Sequence, residues 1–172
     1  IICYVKERGL FYFDEQQQEF IRLKNKLPNN IKKFVIDNEN RLVFLTEEGK
    51  LYLYFFAFDK SKPLLSFIKI IEHPGAISTI YLTDESFIAD SKRSITLFSN
   101  YIPQRTINLP REKNVSQIIQ QNNLLFISFI EGECMKYNLE DGSEEKLSNL
   151  PEKISIFTIY NSSQDVLWIG TD

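Results

Sequence analysis

The chain has 172 residues, 43% of them hydrophobic and 25% charged, with 20 Lys+Arg against 23 Asp+Glu for a net charge of −3. That balance suits an ordinary folded chain with room for a sizeable core. It lacks the basic excess of a nucleic-acid binder, so no nucleic-acid partner is expected, and it does not favour an anionic membrane surface. No apolar run reaches the roughly 18 residues of a membrane-spanning helix, and no leader pattern opens the chain. The first residue is Ile1 rather than Met, so the sequence reads as a piece of a longer protein.

Aromatic residues make up 13% of the chain, with 14 Phe and 8 Tyr. Together with the many Ile they suit pleated, half-buried surfaces. In chain order, Cys3-Tyr4-Val5 opens as a strand and Glu7-Arg8-Gly9 turns it. Glu19 to Leu23 and Ile31 to Ile36 follow as strands. Asp37-Asn38-Glu39-Asn40 is a turn, and Leu42-Val43-Phe44-Leu45 is a dense apolar strand. Glu47-Glu48-Gly49-Lys50 turns into the alternating Leu51-Tyr52-Leu53-Tyr54, with Leu65 to Ile70 next. Further strands are read at Ile77 to Ile80, Phe87 to Ala89, Ile95 to Phe98, Arg105 to Leu109, Val115 to Ile118, Leu124 to Ile127, Cys134 to Tyr137 and Glu145 to Leu147. Ile154 to Phe157 and Val166 to Ile169 close the series. Clusters such as Gln121-Asn122-Asn123, Asp141-Gly142-Ser143 and Asn161-Ser162-Ser163-Gln164-Asp165 separate them.

The pattern repeats. An apolar-x-x-apolar start recurs at Ile31, Ile77, Val115 and Ile154, at spacings of 46, 38 and 39 residues. From Val5 to Ile169 is 164 residues, or four periods averaging 41. Four strands in about 40 residues, repeated without a helix, are the signature of a β-propeller blade. The expected architecture is all-β, with about four blades of four antiparallel strands. Residues 1–30 and 154–172 are partial blades, and 31–71, 77–110 and 115–151 are whole ones. A sandwich or β-solenoid is the alternative.

Composition closes off much chemistry. The single His, His73, sits in the turn Glu72-His73-Pro74-Gly75, and the two Cys are Cys3 and Cys134. Three scattered N/S ligands cannot build a structural zinc site, so no metal is expected. No glycine loop fits a phosphate, and no cofactor is expected. The acidic pairs Glu47-Glu48, Glu131/Glu133 and Glu144-Glu145 fall at turns, where solvated charge is the default reading against a two-carboxylate glycosidase. No catalytic residue is assigned. Cys3 and Cys134, on strands three units apart, are expected to be free buried thiols. Polar groups at turns and links are the ligand-contact candidates: Arg8, His73, Arg93 and Arg111. Trp168, flanked by Val166, Leu167 and Ile169, is expected to pack between units.

The last unit carries a more specific resemblance. Leu167-Trp168-Ile169-Gly170-Thr171 resembles the two-component regulator propeller repeats of the extracytoplasmic sensors of Bacteroidetes hybrid two-component systems. Elsewhere the motif is degenerate, as in Leu42-Val43-Phe44-Leu45-Thr46. The resemblance implies a periplasmic arc of a seven-bladed propeller in a hybrid sensor histidine kinase. It implies an oligosaccharide or another periplasmic ligand, further sensor domains of the parent chain as neighbours, and a homodimeric parent. Nothing in the chain resembles the kinase itself, so this part is expected to be non-catalytic. A protein-interaction scaffold and a propeller glycoside hydrolase are the alternatives. An arc leaves Tyr4, Val5, Leu167 and Ile169 at risk of exposure, so the expectation is either association of the isolated chain through its outer units or a remainder of the ring that lies outside this sequence.

Overall fold

Alternation becomes strand wherever a polar turn lets the chain fold back on itself. In the computed structural model, residues 1–59, 62–73, 75–83, 87–109, 113–147, 155–161 and 167–171 are described. Residues Ile1–Ile77 form one compact unit and Ser78–Asp172 a second.

The first unit holds two sheets. β1 (Ile2–Val5), β2 (Gly9–Asp14) and β3 (Glu19–Arg22) pair in sequence order. β4 (Ile31–Ile36), β5 (Arg41–Thr46), β6 (Leu51–Asp59) and β7 (Lys62–Ile71) do the same. The turn after β4 shows how sequence dictates the hairpin. Asp37 Oδ1 accepts the N–H groups of Glu39 and Arg41, both at 2.9 Å, and Arg41 Nε donates to Asp37 Oδ2 at 2.7 Å. Asn40 takes the left-handed φ of 60° that such a turn requires. One core joins the two sheets: Leu10 and Tyr12 from the first, and Leu42, Phe44, Tyr54, Phe56 and Leu65 from the second.

β6 outruns its partner. It pairs with β5 over Leu51–Phe55 only, while its pairing with β7 continues to Asp59. The projecting hairpin exposes Phe58, Leu64, Phe67 and Ile68. β7 is the edge strand of this sheet. Pro63 lacks an N–H and Asn25 Nδ2 donates to the Leu65 carbonyl at 2.7 Å, so the edge is blunted against further strand pairing.

The second unit holds three sheets. β8 (Thr79–Leu82), β9 (Phe87–Asp90), β10 (Ser94–Ser99) and β11 (Ile102–Asn108) form one; β12 (Val115–Gln121), β13 (Leu124–Phe129), β14 (Cys134–Asn138) and β15 (Glu144–Lys146) form the next; β16 (Ile156–Asn161) and β17 (Leu167–Thr171) pair as the last. Ile88, Ile95, Leu125, Ile127 and Phe129 share one core. Cys134, Ile156 and Ile159 share another. Side-chain latches cross between sheets. Tyr81 donates its hydroxyl to the Val115 carbonyl at 3.0 Å. Gln117 Oε1 accepts from Thr158 Oγ1 at 2.7 Å and from the Ile159 N–H at 2.9 Å. Buried Asp90 is satisfied by Ser78 Oγ at 2.9 Å and the Lys92 N–H at 2.7 Å, as a buried charge must be.

This topology corrects the expected propeller. The described strands form five separate sheets of two to four antiparallel strands, and none closes into a ring. A period near 41 residues encodes the hairpins inside each unit, and hydrogen-bonded pairing stops at each unit's outer strand. Closure is a relation between units that local alternation does not contain, so neither a ring nor a count of seven blades follows. The architecture is all-β, built of five separate antiparallel sheets.

Trp168 corrects a second expectation. It lies directly opposite Tyr160 in the β16–β17 register, and the two are 64% and 66% exposed. Ile169 turns toward the core instead. Because successive strand residues point to opposite faces, an apolar run places only half its side chains on any one neighbour. Both cysteines are free, as expected; Cys134 is buried, whereas Cys3 is half-buried.

Candidate functional site

The first unit carries a cavity of about 520 Å³ at the end of the β1–β3 sheet. Tyr4 of β1, the β1–β2 turn, Arg22 of β3 and the segment from Asn25 to Asn30 surround it, with Glu47 from the β5–β6 turn. Local structure holds this cavity open. Tyr54 donates its hydroxyl to the Lys26 carbonyl at 3.1 Å, and burial raises that hydroxyl above the ordinary tyrosine range. Asn25 anchors the same segment to β7 through Leu65. The Glu47 N–H reaches the Asn30 carbonyl at 2.8 Å and ties the opposite wall down.

Two rim residues take left-handed backbone conformations, Glu7 at φ 64° and Asn30 at φ 52°. Asn tolerates that region, whereas a Glu there is uncommon. Gly9, at φ 102°, completes the turn, and a Cβ on it would lie 3.5 Å from Arg22 Nε. The guanidinium therefore lies close to the Gly9 backbone. Lys6 and Arg22 stand against Glu7 and Glu47 on the lining, so formal charge balances. The amides of Asn25, Asn29 and Asn30 add groups that both donate and accept.

A second cavity of the first unit, about 400 Å³, is lined by Glu48, Lys50, Tyr52, Ile70 and His73 among others. Lys50 Nζ lies 3.0 Å from Glu48, and that hydrogen bond raises the Lys50 pKa. His73 Nδ1 is 3.2 Å from the Gly75 N, which fixes the ring over its own turn. In the second unit a cavity of about 420 Å³ is lined by Lys113, Phe129, Glu133, Cys134 and Lys146 among others. Lys113 pairs with Glu133 and places its ammonium 4.4 Å from the centre of the Phe129 ring. Burial pushes the Cys134 thiol up to about 11. It behaves as a small hydrophobe and not as a nucleophile. Among the described residues no group of three His, Cys, Asp or Glu is placed to hold a metal ion, and no helix is long and apolar enough to cross a membrane.

Of the four residues proposed from sequence, the three that are described, Arg8, His73 and Arg93, do not line one common cavity. His73 lines the 400 Å³ cavity. Arg8 and Arg93 are exposed at turns and line none of the three cavities, and Arg111 lies outside the described residues. The sequence did mark Glu7 and Glu47 as turn residues, and these line the largest of the three cavities. It missed Arg22 and Asn25. Arg22 fell inside the strand read from Glu19 to Leu23, and the only signal for Asn25 was a mostly polar stretch from Lys24 to Asn30 that includes Pro28 and has no alternation of its own.

No family model and no curated protein matches the chain. Solved structures do resemble it. The computationally designed Ika8 protein superposes with a TM-score of 0.68 at 12% identity, over 99% of this chain and 52% of that one. The extracellular domain of a protein from B. thetaiotaomicron described as a one component system gives a TM-score of 0.69 at 10% identity, over 99% of this chain and 25% of that one. The chain therefore spans about half the length of the first and a quarter of the second. Such identities show a shared fold alone. They correct the resemblance to two-component regulator propeller repeats: five matching residues at Leu167–Thr171 are too few to carry membership, and no family model supports it. The chain is all-β and over its length is similar in fold to part of a designed protein and part of an extracellular domain.

Proposed function

We propose that the chain is a non-catalytic ligand-binding module of an extracytoplasmic sensory protein, periplasmic in location, and that its ligand is an oligosaccharide seated in the β1–β3 cavity. The observation that carries the reading is the cavity itself. Its volume of about 520 Å³ lies within the range of roughly 300–1,000 Å³ usual for small-ligand sites. Balanced charge favours a neutral polar guest over a strongly ionic one. Sugar hydroxyls donate and accept in turn, and so do the three asparagine amides, while Arg22 adds directional donors. Similarity of fold to the extracellular domain of a described one component system supports the sensory setting.

Isothermal titration calorimetry against a panel of oligosaccharides tests this. The expected result is binding of at least one member without turnover, weakened about tenfold or more in Arg22→Ala, a loss of roughly 1.4 kcal/mol. Cleavage of the sugar would select a glycoside hydrolase. Binding unaffected by Arg22→Ala would remove the ligand from this cavity, and silence across the panel would leave the scaffold reading in its place.

A further inference from the structure

We infer that the 420 Å³ cavity of the second unit is a separate binding site, for a free α-amino acid with a large apolar side chain. The inference does not depend on any ligand in the β1–β3 cavity. It begins with the register of the β12–β15 sheet. Met135 of β14 lies directly opposite Lys146 of β15, and Lys136 lies opposite Glu145. Residues paired directly across strands share a face, and successive residues alternate between faces. Met135, Glu144 and Lys146 therefore stand on one face, and Lys136 and Glu145 on the other. The charges follow that division. Lys136 Nζ pairs with Glu145 at 3.3 Å, whereas Glu144 and Lys146 both line the cavity.

The depth of the cavity is apolar. Phe129 is 1% exposed and belongs to the core of Leu125 and Ile127, against which Met135 packs. The Lys113 ammonium sits 4.4 Å from the centre of the Phe129 ring and pairs with Glu133. That pair is largely withdrawn from solvent, and its charges neutralise each other, so it forms wall. The charges open to a guest are at the rim, on β15. Glu144 and Lys146 are exposed and two residues apart, which sets their Cα atoms roughly 7 Å from each other. Lys146 Nζ reaches Glu133 Oε1 only at 3.6 Å, a loose contact that a guest can replace. Among the described residues no cation pairs with the Glu144 carboxylate.

The class of guest follows from this arrangement. A guest of single charge satisfies one of the two rim residues and lies beside the like charge of the other. A guest with an ammonium and a carboxylate on one carbon satisfies both: its carboxylate accepts from Lys146, its ammonium donates to Glu144, and its side chain enters over Phe129 and Met135. The volume falls within the roughly 300–1,000 Å³ of small-ligand sites, and the flexible Met135 thioether can adjust to the shape of the side chain. Glycine would leave the apolar depth unfilled.

Isothermal titration calorimetry of the 172-residue chain tests the proposal. The probes are L-phenylalanine, L-leucine, the analogues of each that lack the carboxylate or the ammonium, and glycine. At least one of the two amino acids should bind at millimolar concentration, with its analogues and glycine at least about tenfold weaker. Glu144→Gln and Lys146→Gln should each weaken that binding about fivefold, and Arg22→Ala should leave it unchanged. Silence with both amino acids overturns the proposal, and so does an analogue that binds as tightly as its parent. Binding untouched by both β15 substitutions removes the amino acid from this cavity, and loss in Arg22→Ala moves it to the β1–β3 cavity; either result contradicts the assignment. The analogue series uses the wild-type chain, so it decides even if a variant fails to fold. Because oligosaccharide and amino acid are read by different substitutions, failure of one reading leaves the other standing.

Discussion

β5 and β17 present a similar pattern to the fold. Leu42-Val43-Phe44-Leu45-Thr46 and Leu167-Trp168-Ile169-Gly170-Thr171 are both dense apolar runs ending in Thr. Yet Leu42, Val43, Phe44 and Leu45 are all fully buried, whereas Trp168 is 64% exposed. Burial on both faces is thus a property of a strand's neighbours and not of its composition. An apolar run states what a strand can bury, and what packs against each of its faces decides how much of it is buried.

The sharpest way to break that comparison is to truncate its buried side. Phe44 packs between Phe34 and Tyr54, with ring centres at 5.8 and 5.3 Å. Phe44→Ala should cost about 3–5 kcal/mol, the usual range for a large buried aromatic. Chemical denaturation measures it, and a loss under about 1 kcal/mol would mean that β5 is no better packed than β17.

The turn that follows β5 gives the next effect. Gly49 sits at φ 76°, and a Cβ there would stand 2.7 Å from the Ile77 backbone nitrogen. Gly49→Ala therefore meets both a strained backbone and a wall that cannot yield. It should cost about 1–3 kcal/mol, read from the shift in denaturation midpoint. Asn25→Ala removes the donor to the Leu65 carbonyl and should cost about 1 kcal/mol. It should also weaken ligand binding, because the cavity wall loses its anchor.

The strands were legible in the sequence because each carries alternation bounded by turn residues. Asp37 to Asn40 and Asn122 announce their hairpins, and the structure shows why: Asp37 satisfies backbone donors, while Asn40 and Asn122 take left-handed conformations. The repeat was legible for the same reason. What lies between repeats was not. Ring closure, the open face at Trp168 and the wall built by Arg22 and Asn25 depend on side chains distant in sequence meeting in space. No local period encodes those meetings. Arg8 and Arg93 line none of the three cavities for a related reason, since an exposed charge at a turn is what solvent alone would select.

A smaller effect contrasts the two cysteines. Burial raises the Cys134 thiol from 9.0 to about 11, so the native state holds its proton where the unfolded state has released it. The contribution of Cys134 to stability is therefore constant below pH 9 and declines between pH 9 and about 11. At mildly alkaline pH a thiol reagent should label half-buried Cys3 and spare Cys134. Mass spectrometry of the labelled chain checks this, and equal labelling would contradict the packing of β14. Least costly of all is Trp168→Ala, which should change the stability of the monomeric chain by no more than about 0.5 kcal/mol, as for an ordinary surface substitution.

Trp168 is the single Trp of the chain, so its fluorescence reports on the open face of β17 and on nothing else. Measured in dilute solution with acrylamide as quencher, the account predicts the red-shifted emission of a water-exposed indole and ready quenching, little different from the denatured chain. Blue-shifted emission with strong protection from acrylamide at the same dilution would show that this face is covered within the chain itself, and that β17 is buried as β5 is.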